Sequence, residues 1–124
     1  PFFSEVGETI RRVEPAFANQ STNQAGLHSD HQPFMIEGIP VAGLNGRLTK
    51  EVLDCYHADC DKLNLVDREQ LKNTVRYGAM TLYALADAET IAARRLDDDK
   101  TRDFLVTQGL RTPLQIANEW RWKD

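Results

Sequence analysis

The chain has 124 residues, enough for one domain with a modest core. Apolar residues make up 41% and charged residues 27%, the balance of a soluble globular chain rather than a disordered one. The net charge is −4, the pI is about 5.3 and there is no basic stripe, which argues against nucleic acid as a partner, and no apolar run approaches the roughly 20 residues of a membrane span.

A beginning at Pro1-Phe2-Phe3, with no initiator Met and no charged-then-apolar leader, is expected of an excised segment. Two cysteines, Cys55 and Cys60, are too few for a disulfide-rich scaffold and leave the compartment open.

Residues 4–17 read as an amphipathic helix, because Val6, Ile10, Val13 and Phe17 recur on one face of a 3.6-residue period. Ser4 is its expected N-cap, with Glu5 and Glu8 against the positive end of the dipole, and Pro15 loosens its end. Residues 18–29 are rich in Asn, Gln, Ser and Thr without a period, and read as a loop. Asp30 is expected to cap a short helix that has Pro33 in its first turn and ends at Gly38. The apolar run Ile39-Pro40-Val41-Ala42-Gly43-Leu44 predicts a buried strand, and residues 45–66 are expected to be mostly irregular.

The longest helix is predicted over 68–95. Asp67 and Gln70 form its capping pair, Leu71, Val75, Gly78/Ala79, Leu82 and Leu85/Ala86 its buried stripe, and Arg94-Arg95 its basic last turn. Asp97-Asp98-Asp99 starts a further helix, about 99–108, closed by Gly109. Thr112-Pro113 reads as N-cap and first position of a last short helix ending near Trp120-Arg121-Trp122.

Four groups of residues carry chemical potential. His57 sits in a segment without helical or strand period, with Tyr56 before it and Asp61 four residues on. It is either a packed or solvated loop residue, or a zinc ligand whose tautomer a nearby carboxylate fixes. His28, Asp30 and His31 suggest a metal motif, but consecutive residues point in different directions. Asp30 as a cap or a residue supporting the ligands is the better reading, and His28 and His31 read as loop polar residues. Cys55 and Cys60 bracket His57 and admit three readings: part of a structural zinc site, a disulfide in an oxidising compartment, or two free thiols. Cys catalysis would need a base and an oxyanion hole, for which closeness to His57 is little support. Trp120 and Trp122 read as packing aromatics.

Ser29-Asp30-His31-Gln32-Pro33-Phe34, Gly38-Ile39-Pro40, Tyr56-His57 with Asp61 and the helix after Asp67 together resemble the zinc-dependent exopeptidases of metallopeptidase family 28. The family includes aminopeptidases and a carboxypeptidase Q branch. The likeness runs from residue 27 to about 90, and more loosely through the first helix. It implies an α/β fold: the C-terminal part of a phosphorylase/hydrolase-like three-layer domain, with a mostly parallel sheet flanked by helices. Residues 1–124 would be one partial domain, with 96–124 a helical C-terminal extension.

In that family two zinc ions are held by a His, a bridging Asp, a Glu, an Asp and a last His, and a second Glu is the general base on the metal-bound water. The resemblance assigns the last His to His57 and places Asp30 at the head of the short helix near the substrate pocket, with Asp61, His31 and Tyr56 around the site. The family's His-Thr-x-x-Asp-Thr run reads here as His57-Ala58-Asp59-Cys60-Asp61-Lys62, so both Thr positions are replaced. The other ligands and the base are expected before Pro1. The resemblance therefore implies a peptide substrate and zinc for the intact enzyme, a segment inactive and weak in zinc by itself, and a secreted or periplasmic location. A segment lacking its other half is also expected to self-associate through exposed sheet edges and apolar faces. Two rivals remain: the zinc-dependent glutaminyl cyclase branch of the same superfamily, and a non-catalytic module that keeps the fold.

Overall fold

The structure is a computed structural model that describes residues 2–46, 48–91 and 93–123. Pro1, Arg47, Ala92 and Asp124 lie outside the described residues, and with them the expected start of the chain and one position each of the expected irregular segment and long helix. Six α-helices occur among the described residues, with one 3-10 turn at Leu63–Leu65. The chain forms two compact units: Pro1–Gln20 with Gly43–Thr90, and Ser21–Ala42 with Ile91–Asp124.

The expected α/β architecture is wrong. No strand and no sheet occur among the described residues. The run 39–44 is irregular, and Ile39, Val41 and Leu44 are exposed. A strand exists only by pairing its backbone groups with a neighbour, and no such partner strand occurs among the described residues.

In the first unit, α1 spans Phe2–Val13, with Glu5 in its first turn and Arg11 and Arg12 in its last, both favourable to the helix dipole. It starts before Ser4, which is therefore inside the helix rather than its cap, and stops short of Pro15, which has no N–H to continue it. Ile10 is buried, and Phe17 meets Tyr77 edge-on with ring centroids 4.8 Å apart. Val13, on the expected buried face, is exposed. Gly7 matters because the Asn19 side chain lies against it: a Cβ there would be 1.7 Å from Asn19 Oδ1. Asn19 Nδ2 donates to Glu8 Oε1 at 2.7 Å and to the Ser4 carbonyl at 3.3 Å.

Helix α3, Lys50–Cys55, falls inside the stretch expected to be irregular. Its signal was Thr49, whose Oγ1 accepts from the Val52 N–H, followed by acidic Glu51 in the first turn. Helix α4, Arg68–Asp87, is capped as expected: Asp67 accepts from the Glu69 and Gln70 N–H groups at 2.9 and 3.0 Å, and Gln70 Nε2 reaches back to it. These bonds stabilise the carboxylate and hold Asp67 below the usual carboxylate range, the Gln70 N–H contributing most. The expected buried stripe holds only in part: Gly78 and Leu85 are half-buried, but Leu71, Val75 and Leu82 are exposed and no described residue of α4 is fully buried. The sheltered side is a neighbouring one, with Asn73, Tyr77, Met80, Thr81 and Ala84 half-buried.

Helix α4 also ends at Asp87 instead of residue 95, so Arg94-Arg95 does not form its last turn. Residues 95 and 96 are instead bonded within the second unit. There the Leu96 N–H donates to the Gly38 carbonyl at 2.9 Å, and Arg95 Nε donates to the Glu37 carbonyl at 2.8 Å. These bonds draw residues 95–96 out of helical geometry.

The second unit holds the packed core. Helix α2, Gln32–Ile36, presents buried Met35 and Ile36. Helix α5, Asp98–Thr107, and helix α6, Arg111–Ile116, bring in Leu105 and Leu114, both completely buried. Phe104, Leu27, Trp120 and Trp122 close over them, as expected of packing aromatics. Asp97 caps α5, and Gly109 follows it in the left-handed region, close to the expected limits. The α6 expectation shifts: Leu110 is the N-cap, and Thr112 and Pro113 lie inside the helix. Gly38 ends α2 with φ +71°, and a Cβ there would be 2.5 Å from Thr101 Oγ1 and 2.7 Å from the Leu96 carbonyl. Arg121 joins Glu37 and Asp98, and Asp98 also accepts from Trp122 Nε1 at 2.8 Å.

Candidate functional site

The His57 loop starts where α3 stops. Tyr56 leaves helical geometry with ψ 121°, and His57 follows with φ +61°. A left-handed conformation costs a residue with a Cβ about 1 kcal/mol or more. Two turn bonds shape the loop: the Ala58 N–H donates to the Cys55 carbonyl and the Asp61 N–H to the Ala58 carbonyl, each at 2.9 Å. Cys55 and Cys60 are joined by a disulfide that closes over the His57 turn.

The imidazole of His57 lies on the Tyr56 ring, with centroids 4.0 Å apart and planes 21° from parallel. Asp61 approaches the His57 backbone: its Oδ2 accepts from the His57 N–H at 3.3 Å. That bond supports the loop and leaves the ring nitrogens to other partners. Tyr56, His57, Asp59 and Asp61 are all exposed. The disulfide closes two sequence-level alternatives. Bonded sulfurs supply neither thiolate ligands for a structural zinc nor a cysteine nucleophile.

Zinc needs three or more protein donors, and no group of three His, Cys, Asp or Glu residues able to hold a metal occurs among the described residues. The loop thus fits zinc as the holder of a single imidazole donor and no more.

Asp30 and His31 belong to the second unit, His57 and Asp61 to the first. The cap of α2 is His31, without a side-chain capping bond, so the role expected of Asp30 as cap is overturned. The His31 ring bonds the Gly26 carbonyl at 3.0 Å; a carbonyl only accepts, so Nε2 carries the proton in that contact. His28 has φ +69°, and its N–H donates to Gln32 Oε1 at 2.6 Å. Gln32 Nε2 in turn donates to Glu119 at 2.5 Å. Gln32 thus ties the 28–31 turn to the tail, a role with no local sequence signal because its partner lies 87 residues away.

A small open cleft in the first unit, about 150 Å³, is lined by Asn45, Gly46, Gln70, Asn73, Thr74 and Tyr77. Its lining residues carry no charge. The 70, 73, 74, 77 spacing on α4 was its signal, since three- and four-residue steps share one helix face.

A model of peptidase family M28 matches residues 2–82, which takes in α1, α2, the His57 loop and most of α4. The chain belongs to peptidase family M28. The family relation is that of a peptidase, a hydrolase of peptide bonds. Comparison with curated proteins found no match, and comparison with solved structures found none. The family match ends within α4, before α5 and α6. Among the described residues no helix is long and apolar enough to cross a membrane.

Proposed function

We propose that this M28 chain contributes one wall of a zinc-dependent exopeptidase site, with His57 as a metal ligand, and that it does not hydrolyse peptides by itself. The observation carrying this reading is the coincidence of the family match with a turn that presents an exposed imidazole on a covalently closed loop. A zinc ion held at such a site would supply a Lewis acid for a peptide carbonyl and for water. His57 would hold the metal, Asp61 would hold the His57 backbone, and Tyr56 would support the ring. A disulfide persists in oxidising compartments, which supports a secreted or periplasmic location.

The exposed Leu71, Val75 and Leu82 on α4 support self-association.

The test is zinc stoichiometry by elemental analysis together with hydrolysis of amino- and carboxy-terminally blocked peptide pairs. The expected result is sub-stoichiometric zinc and no hydrolysis by the chain alone. One bound zinc per chain, with hydrolysis that a chelator abolishes, overturns the single-wall reading and makes this chain a complete enzyme. A monodisperse monomer in light scattering at high concentration overturns self-association.

A further inference from the structure

Nothing in the packing around His57 accounts for its backbone conformation. Residues 56–64 are exposed, so no core presses the turn into shape. The bonds available to it are two turn bonds between neighbouring residues and one long contact to Asp61. An exposed turn with such bonds exchanges readily with other shapes, and φ +61° is a region that few non-glycine residues adopt. The one restraint that water does not compete with is the Cys55–Cys60 bond, which spans a separation of five residues.

We propose that this disulfide is a positioning device for His57: it holds the residue left-handed with its ring on Tyr56, and reduction releases the imidazole. Loop length argues for a local role. Stabilisation by a cross-link grows with the loop it closes, and this loop is short, so little of its effect is on global stability. Cys55 anchors it to the last residue of α3, so the loop inherits its direction from a helix. Release is a balanced exchange with a dithiol. One thiolate attacks a disulfide sulfur to form a mixed disulfide, and the second thiol displaces the protein sulfur. The dithiol is oxidised to its cyclic disulfide while Cys55 and Cys60 become two thiols. The meaning of the device for catalysis rests on His57 being a ligand; the device itself does not.

The test is a carbon–proton NMR spectrum of the whole chain labelled at histidine, recorded before and after treatment with dithiothreitol. In the oxidised chain the His57 ring protons are expected to be shifted by the Tyr56 ring, and Tyr56→Leu removes that shift. Reduction is expected to remove it equally in the unaltered chain, while His28 and His31 stay in place and helicity by circular dichroism is unchanged. The double variant Cys55→Ser/Cys60→Ser should match the reduced spectrum. An unchanged His57 signal after two thiols have been titrated per chain overturns the proposal. A general loss of helicity on reduction also overturns it, since the bond is then a global staple. None of these readouts uses zinc or hydrolysis, so a failure of the peptidase reading leaves them standing.

Discussion

The two units divide the labour of the molecule unequally. The second has a packed centre, in which Leu105 and Leu114 are completely buried under Trp120 and Trp122, and a set of ion pairs joining Glu37, Arg95, Asp98 and Arg121. The first has Ile10 as its one buried hydrophobic residue among those described, leaves Leu71, Val75 and Leu82 of α4 exposed, and carries His57 in a strained loop closed by a disulfide. Stability and candidate chemistry thus reside in different parts of the chain. A loop that is not held by a core has to be held by something else, and here that is a covalent bond.

The aromatic residues make the comparison measurable. Both tryptophans lie in the second unit, and all three tyrosines, Tyr56, Tyr77 and Tyr83, in the first. Tryptophan and tyrosine signals therefore report on the units separately.

The largest expected effect is Leu105→Ala or Leu114→Ala, each destabilising the second unit by about 2–5 kcal/mol in urea unfolding followed by tryptophan emission. Tyrosine emission should show little change; an equal shift in both signals would mean that the two units unfold as one. Gly38→Ala should follow, costing about 1–2 kcal/mol for the left-handed backbone alone and more for the contact with Thr101 and the Leu96 carbonyl, read by the same emission. Next, His57→Gly should raise the stability of the first unit by about 1 kcal/mol, because glycine adopts φ +61° without penalty. A stability loss on that change would mean that the imidazole contributes more through Tyr56 than its backbone costs.

The helix caps offer a smaller, pH-dependent comparison. Asp67 caps α4 in the first unit and Asp97 caps α5 in the second, and hydrogen bonds hold both below the ordinary carboxylate range; for Asp97 the Lys100 side chain contributes most. A carboxylate lowered in the folded state contributes stability that is present above its unfolded value and is lost as pH falls through its folded value. Asp67→Asn and Asp97→Asn keep a capping oxygen and should each flatten that acid loss in its own unit, as seen by circular dichroism during acid titration. The same contact raises Lys100, whose contribution is present below the ordinary lysine range and is lost as pH rises through its folded value. The smallest effect is expected from Leu82→Ala, within about 0.5 kcal/mol, since that side chain is 67% exposed.

Much of this was legible residue by residue. The Asp67 and Asp97 caps, the Gly38 and Gly109 stops and the Trp120/Trp122 packing follow from local chemistry, and the structure has them. The family was legible from the ordered motifs around His31, Gly38 and His57. What failed did so where a neighbour decides. The strand at 39–44 needed a pairing partner, and the stripe on α4 needed an opposing surface. The basic turn expected at Arg94-Arg95 gave way to bonds from Arg95 and Leu96 to Glu37 and Gly38. Asp30 lost the cap because the helix begins one residue later, at a position where Pro33 is still accommodated in its first turn.

The sequence by itself determined the Asp67 and Asp97 caps, the Gly38 and Gly109 stops and which family the chain belongs to, because caps, breakers and short motifs act within a few bonds of their own residue. Tertiary structure decided which apolar face is covered, that no described segment pairs as a strand, that the two cysteines are bonded, and that His57 is held left-handed against Tyr56. Those outcomes depend on groups meeting in space, and spacing along the chain does not encode which of several candidate partners arrives.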